Sequence, residues 1–98
     1  MSKVRITVAK RLSNPDLLAR YGKKLPPQCQ ATNDGQVFVS EGFKMPEGFC
    51  PWAWADIQRD VAVLECGGNF GWVSEPGVGV SCCTDGFRPV VFLLERID

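Results

Sequence analysis

The run Val90-Val91-Phe92-Leu93-Leu94 is apolar at five consecutive positions. Side chains alternate between the two faces of a strand, so a strand made of this run needs cover on both. It therefore belongs in the middle of a sheet, and the rest of the chain has to supply neighbours and a packing layer. Val4, Ile6 and Val8 alternate with Lys3, Arg5 and Thr7, the period of a half-buried strand over roughly residues 3–10. Gln36 to Ser40 reads as another strand, with Val37 and Val39 on one face and Phe38 on the other. Val78 to Cys83 and Arg88 to Ile97 flank Thr84-Asp85-Gly86-Phe87. Asp-Gly between two apolar runs signals a hairpin with a two-residue type I′ turn.

The packing layer is a helix over 51–66. Pro51 suits its first position, and Trp54, Ile57, Val61 and Leu64 fall on one face. Gly67-Gly68 ends it. A shorter helix starts at Ser13-Asn14-Pro15-Asp16, with a capping side chain, proline in the first turn and an acid near the positive end, and runs to about Tyr21. The expected fold is α+β: a mostly antiparallel sheet of about four strands, one long helix and a C-terminal β-hairpin, in a single domain spanning 1–98.

With 45% hydrophobic residues the chain has enough apolar surface to offset its conformational entropy. Its net charge is zero, which argues against nucleic acid as a partner. The charge is unevenly placed, since Lys3, Arg5, Lys10, Arg11, Arg20, Lys23 and Lys24 face only Asp16 in the first 24 residues. The acidic remainder is expected to pack beside this segment and neutralise it. No run is long enough to span a membrane, and the N-terminal residues lack an apolar signal core, so the expected location is cytoplasmic.

The chain has no histidine, which removes the commonest general base and the zinc sites of mixed Cys/His type. Its glycines do not open a helix after a strand, so no phosphate loop is present. Five cysteines remain, read as thiols in a reducing compartment. Cys50 lies just before Pro51, next to unpaired helix amides that favour a thiolate; the alternative is a thiol buried under Phe49 and Trp52. In the two-residue-turn register Cys83 pairs with Arg88, whose charge favours ionisation, and Cys82 pairs with Pro89, which has no N–H and breaks the ladder. Cys66 closes the long helix, roughly 24 Å from Cys50. A metal site would thus draw on Cys29, Cys50, Cys82 and Cys83, at spacings unlike the usual zinc or iron–sulfur patterns.

Met45-Pro46-Glu47-Gly48-Phe49-Cys50-Pro51-Trp52-Ala53-Trp54-Ala55-Asp56, together with Cys82-Cys83-Thr84-Asp85-Gly86 and Arg88-Pro89-Val90, resembles a family of small prokaryotic proteins of about this length that carry both motifs in this order. Those proteins often end in Glu-Arg-Ile, as at Glu95-Arg96-Ile97. The resemblance covers nearly the whole chain. It implies a stand-alone prokaryotic domain and marks Cys50, Cys82 and Cys83 as signature positions. It carries over no activity or cofactor.

Two functional expectations follow. The first is a thiol redox or soft-metal site, with Cys50, Cys83 and Arg88 as the candidate catalytic groups and Cys29 and Cys82 as further metal ligands. The second is a non-catalytic module that binds a ligand or protein through an aromatic surface of Trp52, Phe70 and Trp72. A sheet with one principal helix leaves a face open, so a homo-oligomer is expected. No substrate, small-molecule ligand or cofactor can be named from the residues.

Overall fold

The computed structural model describes residues 2–98. In chain order the elements are β1 (Lys3–Arg11), α1 (Pro15–Tyr21), β2 (Val37–Ser40), α2 (Pro51–Glu65), β3 (Val78–Cys82) and β4 (Val90–Ile97). The architecture is α+β: a four-stranded antiparallel sheet of order β2-β1-β4-β3, with α2 across one face and β3–β4 as the C-terminal hairpin. The apolar run of β4 does sit inside the sheet, between β1 and β3.

Alternation decides what each strand buries. Val4, Ile6 and Val8 of β1 and Val90, Phe92 and Leu94 of β4 point towards α2 and are buried. They meet Ala53, Ile57, Val61 and Leu64, which recur at helical spacing along α2. Full burial of each large aliphatic or aromatic side chain contributes about 1.5–3 kcal/mol, so this one layer accounts for most of the core. The opposite face has no such cover. Val37, Val39 and Val80 are exposed there, and Leu93 is only half-buried.

The C-terminal end of α2 is closed by polar contacts. Gly67, at φ 85°, lets the chain reverse while the amides of Gly67 and Gly68 return to the carbonyls of Leu64 and Val63, a Schellman stop. Arg96 reaches in from β4 and donates to the carbonyls of Leu64 (3.1 Å) and Gly68 (2.6 Å) and to Asn69 Oδ1 (2.9 Å). Glu65 is 1% exposed, and its carboxylate accepts from the Phe43 amide (2.8 Å) and contacts the Ser40 hydroxyl (2.9 Å). This pins the loop after β2 to the helix.

One irregularity in β1 shapes the other end. Val8 pairs with Phe92 and Lys10 with Val91, so Ala9 is an extra residue, a β-bulge. Up to Val8 the even-numbered side chains face α2. Beyond the bulge the phase inverts, and Arg11 pairs with the inward-facing Val90. From there Arg11 hydrogen-bonds to Asp34 and to the carbonyls of Cys29 and Thr32.

The hairpin corrects the expected register. Cys83 faces Val90, not Arg88: its amide donates to the Val90 carbonyl (3.0 Å), and Cys82 pairs with Val91. The connection is a six-residue loop, 84–89, and neither Asp85 nor Gly86 has the positive φ that a type I′ turn requires. The cause is the Asp85 side chain, whose Oδ1 accepts from the amides of Phe87 (2.9 Å) and Arg88 (3.2 Å) and folds the loop on itself. Pro89 cannot donate, but its carbonyl accepts from Leu12. Asn14 is the N-cap of α1, yet its side chain makes no cap; it donates to the Gly86 carbonyl (2.6 Å) instead.

Candidate functional site

At the N-terminal end of α2 the chain forms a half-open cavity of about 500 Å³. One wall is the first turn of α2, with Cys50, Trp52 and Ala53. A second is the segment before β2, with Cys29, Ala31 and Thr32. The mouth of the hairpin, with Cys83, Asp85 and Arg88, makes the third, and Val90 and Phe92 of β4 complete the lining.

Each wall is tied in place. Arg11 holds the second through the carbonyls of Cys29 and Thr32, and Gln28 donates back to the Arg11 carbonyl. Asp56 on α2 accepts from the amide (2.8 Å) and hydroxyl (3.0 Å) of Thr84, which clamps the hairpin mouth to the helix. The amides of Leu12 and Asn14 hold the carbonyls of Pro89 and Phe87 from the other side. Cys50 is the N-cap of α2 but provides no side-chain cap, and Pro51 has no N–H. The amides of Trp52 and Ala53 are thus left without an acceptor from the cap residue, beside the cavity.

Two residues of the lining each carry a polar atom that is shut off from solvent and lacks a partner among the described residues. Thr32 is 2% exposed and its Oγ1 makes no hydrogen bond. The Arg88 side chain is 19% exposed, and its Nε makes none either; its carboxylate neighbour, Asp85 Oδ2, lies 3.7 Å away, beyond hydrogen-bond range. The third such atom, Ser13 Oγ, lies outside the cavity, next to α1. Buried polar groups are nearly always paired, so each of these atoms costs stability, and neither offers a surface to a molecule in the pocket.

The expected thiol or soft-metal site is not formed. All five cysteines are free, and among the described residues no group of three or more His, Cys, Asp or Glu could hold a metal ion. Cys29, Cys50 and Cys83 share the cavity wall without making a ligand set. Cys83 is buried, and its sulfur accepts from the Val90 amide (3.2 Å). The register that would have set Arg88 beside it does not occur, and the charge near Arg88 is Asp85. Cys82 lies on the other face of its strand and donates to the Cys83 carbonyl (3.2 Å). Although the residue as a whole is exposed, desolvation pushes the Cys82 thiol up from its ordinary value, and Cys83 and Asp56 push it further, the opposite of activation. Cys66 is exposed at the far end of α2.

The expected aromatic surface is also corrected. The rings that touch one another are mostly inside: Phe49 is 3% exposed and packs edge-on against Phe38 (4.9 Å) and Trp54 (6.1 Å) and beside Phe92 (5.4 Å). Trp52 stands at the first turn of α2, whereas Phe70 packs over Gly79 near Leu64, roughly 18 Å further along the helix. Trp72 is exposed but leans on Phe70 (5.3 Å). Trp52, Phe70 and Trp72 therefore do not compose one surface.

Thr32, Arg11 and Asp56 were not anticipated from the sequence. Their roles depend on long-range contacts, and only Arg11, following a strand whose alternation falters at Ala9, leaves any local trace. Comparison with protein-family models, curated proteins and solved structures finds no match for this chain.

Proposed function

We propose that this protein binds a small organic molecule in the cavity at the N-terminal end of α2. The observation that carries this reading is the pocket itself, where the first turn of α2, the segment before β2 and the hairpin mouth converge on one space with Arg88 and Asp85 in its wall. Its volume of about 500 Å³ lies within the range of small-molecule sites. The lining fits such a role, with apolar walls and a few polar groups held by Arg11, Asp56 and Asp85. Both motifs of the family resemblance border the cavity, the first through Cys50 and Ala53, the second through Cys83, Asp85 and Arg88.

The test is an amide NMR titration with a library of small organic compounds. Binders are expected to shift amides of residues 29–32, 50–53 and 83–90, and Ala53→Leu, which fills the cavity from its helical wall, is expected to weaken them. Binders whose shifts gather on the open sheet face would sink the proposal, as would a library without binders.

A cytoplasmic location and self-association belong to the same reading. Five free thiols suit a reducing compartment. Among the described residues no helix is long and apolar enough to cross a membrane. Acidic neighbours of the basic first strand, in the pairs Lys3–Glu41 (3.9 Å), Arg5–Glu95 (3.2 Å) and Arg11–Asp34 (3.0 Å), weaken the case for nucleic acid. On the open face, exposed Val39 stands beside Arg5, and exposed Val37 and Val80 lie in the next row flanking Thr7 and Leu93, so an apolar strip beside one positive and one negative charge suits contact with a second copy. Light scattering checks this: Val80→Lys is expected to lower the mass of the assembly, and a monomeric wild type would rule the assembly out.

A further inference from the structure

The edges of the sheet are β2 and β3, and the chain treats them differently. In the β3–β4 ladder the Cys83 amide donates to the Val90 carbonyl and the Arg96 amide to the Gly77 carbonyl, and the register between these bonds is unbroken. Hydrogen-bonded and non-hydrogen-bonded pairs alternate along an antiparallel ladder. Gly77, Gly79, Ser81 and Cys83 therefore turn their backbone towards β4. Val78, Val80 and Cys82 turn theirs off the sheet, and among the described residues no turn, loop or side chain meets those amides and carbonyls. Natural sheets guard such an edge with charge, proline, a bulge or a very short strand. β2 is guarded: it is four residues long, Glu41 follows it, and it starts at a bulge where the Val8 amide donates to Gln36 and the Gly35 amide to Val8. β3 has no guard, since Val78–Cys82 is five residues without charge, proline or register shift.

We infer that the bare edge of β3 pairs with the same edge of a second copy, antiparallel about Val80. This rests on the self-association proposed above and assigns its contact. The strand fits itself. With Val80 opposite Val80 of the second copy, Val78 falls opposite Cys82, and every outward amide finds an outward carbonyl. No charge meets its like within the pairing. On the side facing α2, Gly79 falls opposite Ser81, so only small residues line the seam beneath the helix. On the open face Val37, Thr7, Leu93 and Val80 form one row across the sheet, and pairing at Val80 joins that row to its copy. The contact is two-fold, so it covers both bare edges and closes, whereas β3 against β2 of the next copy would run on as a filament.

The experiment follows amide hydrogen exchange of the wild type by NMR over a dilution series, with the mass read by light scattering. Gly79 and Ser81, whose amides bond to β4 within one chain, are the internal control. In the assembly the amides of Val78, Val80 and Cys82 are expected to exchange at least about tenfold more slowly than in an unstructured peptide, and to lose that protection as dilution brings the mass down to one chain. Val80→Pro removes an amide that no group of its own chain accepts, a change that an edge strand tolerates. It is expected to leave a monomer in which Val78 and Cys82 exchange freely while Gly79 and Ser81 stay protected. An assembly whose Val78, Val80 and Cys82 amides exchange freely would overturn the edge pairing and leave self-association through another surface standing. Protection that appears at Val37 and Val39 instead would overturn it in favour of β2. Protection of the three β3 amides in a monomer would also overturn it, because the chain would then shield its own edge. A wild type that is monomeric at every concentration ends both the pairing and the self-association. The wild-type dilution series decides the matter even where Val80→Pro does not fold.

Discussion

The two ends of α2 handle polar groups in opposite ways. At the C-terminal end, Arg96, Glu65 and Asn69 meet the last carbonyls of the helix, the Phe43 amide and the Ser40 hydroxyl, and these groups satisfy one another. At the N-terminal end the cap residue offers no side-chain bond, and Thr32 Oγ1 and Arg88 Nε go unpaired beside a cavity. The same helix and sheet carry both ends, so the difference is local. A finished network stabilises the fold. An unfinished one costs stability.

The largest expected effect is at the closed end. Arg96→Met removes the donor of the Gly68 carbonyl and the second donor of the Leu64 carbonyl and Asn69 Oδ1, which keep the amides of Gly67 and Gly77, and a loss of about 1.5–3 kcal/mol is expected in urea unfolding, the range of a hydrogen bond from a charged group. At the open end, Asp85→Ala orphans two loop amides and is expected to cost about 1–2 kcal/mol, with the β3–β4 loop showing faster hydrogen exchange. Arg88→Met should have the reverse sign. It replaces a half-buried cation whose Nε makes no hydrogen bond by an apolar chain, and a gain of up to about 1 kcal/mol is expected. A large loss of stability in Arg88→Met would mean that the two ends do not differ in kind. Thr32→Val, nearly isosteric, is expected to change stability by only a few tenths of a kcal/mol, because the hydroxyl it removes has no protein partner.

The smallest effect is a pH dependence at Cys82. Its thiol is pushed up by desolvation, then by Cys83 and Asp56, so the fold favours the protonated form. That contribution is complete below the ordinary thiol range and disappears as pH rises through the elevated folded value. Alkylation of Cys82 in the native protein should therefore start at higher pH than in the urea-unfolded chain. Coincident pH profiles would remove the shift.

The elements that depend on local pattern were legible in the sequence. The alternation of Val4, Ile6 and Val8, the helical spacing of Ile57, Val61 and Leu64, and Pro51 and Gly67 at the ends of α2 mark strand and helix because each signal lies within the element it describes. The apolar β4 had to be central for the same reason. The hairpin register was not legible, because one side-chain oxygen of Asp85 takes two loop amides and overrides the turn that Asp-Gly favours alone. Asn14 shows the same competition, since a capping side chain is drawn away by a carbonyl 72 residues further on. For the candidate site, the sequence placed Cys50 at a helix start, but the thiol chemistry built on it required a cysteine constellation that the fold does not assemble. Thr32 could not be singled out, because its burial depends on Arg11 and a segment without regular structure.

The bulge at Ala9 works as a phase switch in the strand. Val8 and Arg11 both serve the inner side of the sheet although three positions separate them, which an unbroken strand does not allow. Taking Ala9 out would leave Lys10 and Arg11 opposite the partners they already have, Val91 and Val90, on an unbroken ladder, and Arg11 would stay on the inner side. Absorbing Ala9 into the pairing instead would carry Arg11 past Val90 and turn it outward, and segment 29–34 would lose its tether. The wall built at the end of the sheet thus depends on one residue being kept out of the pairing, not on the length of the strand.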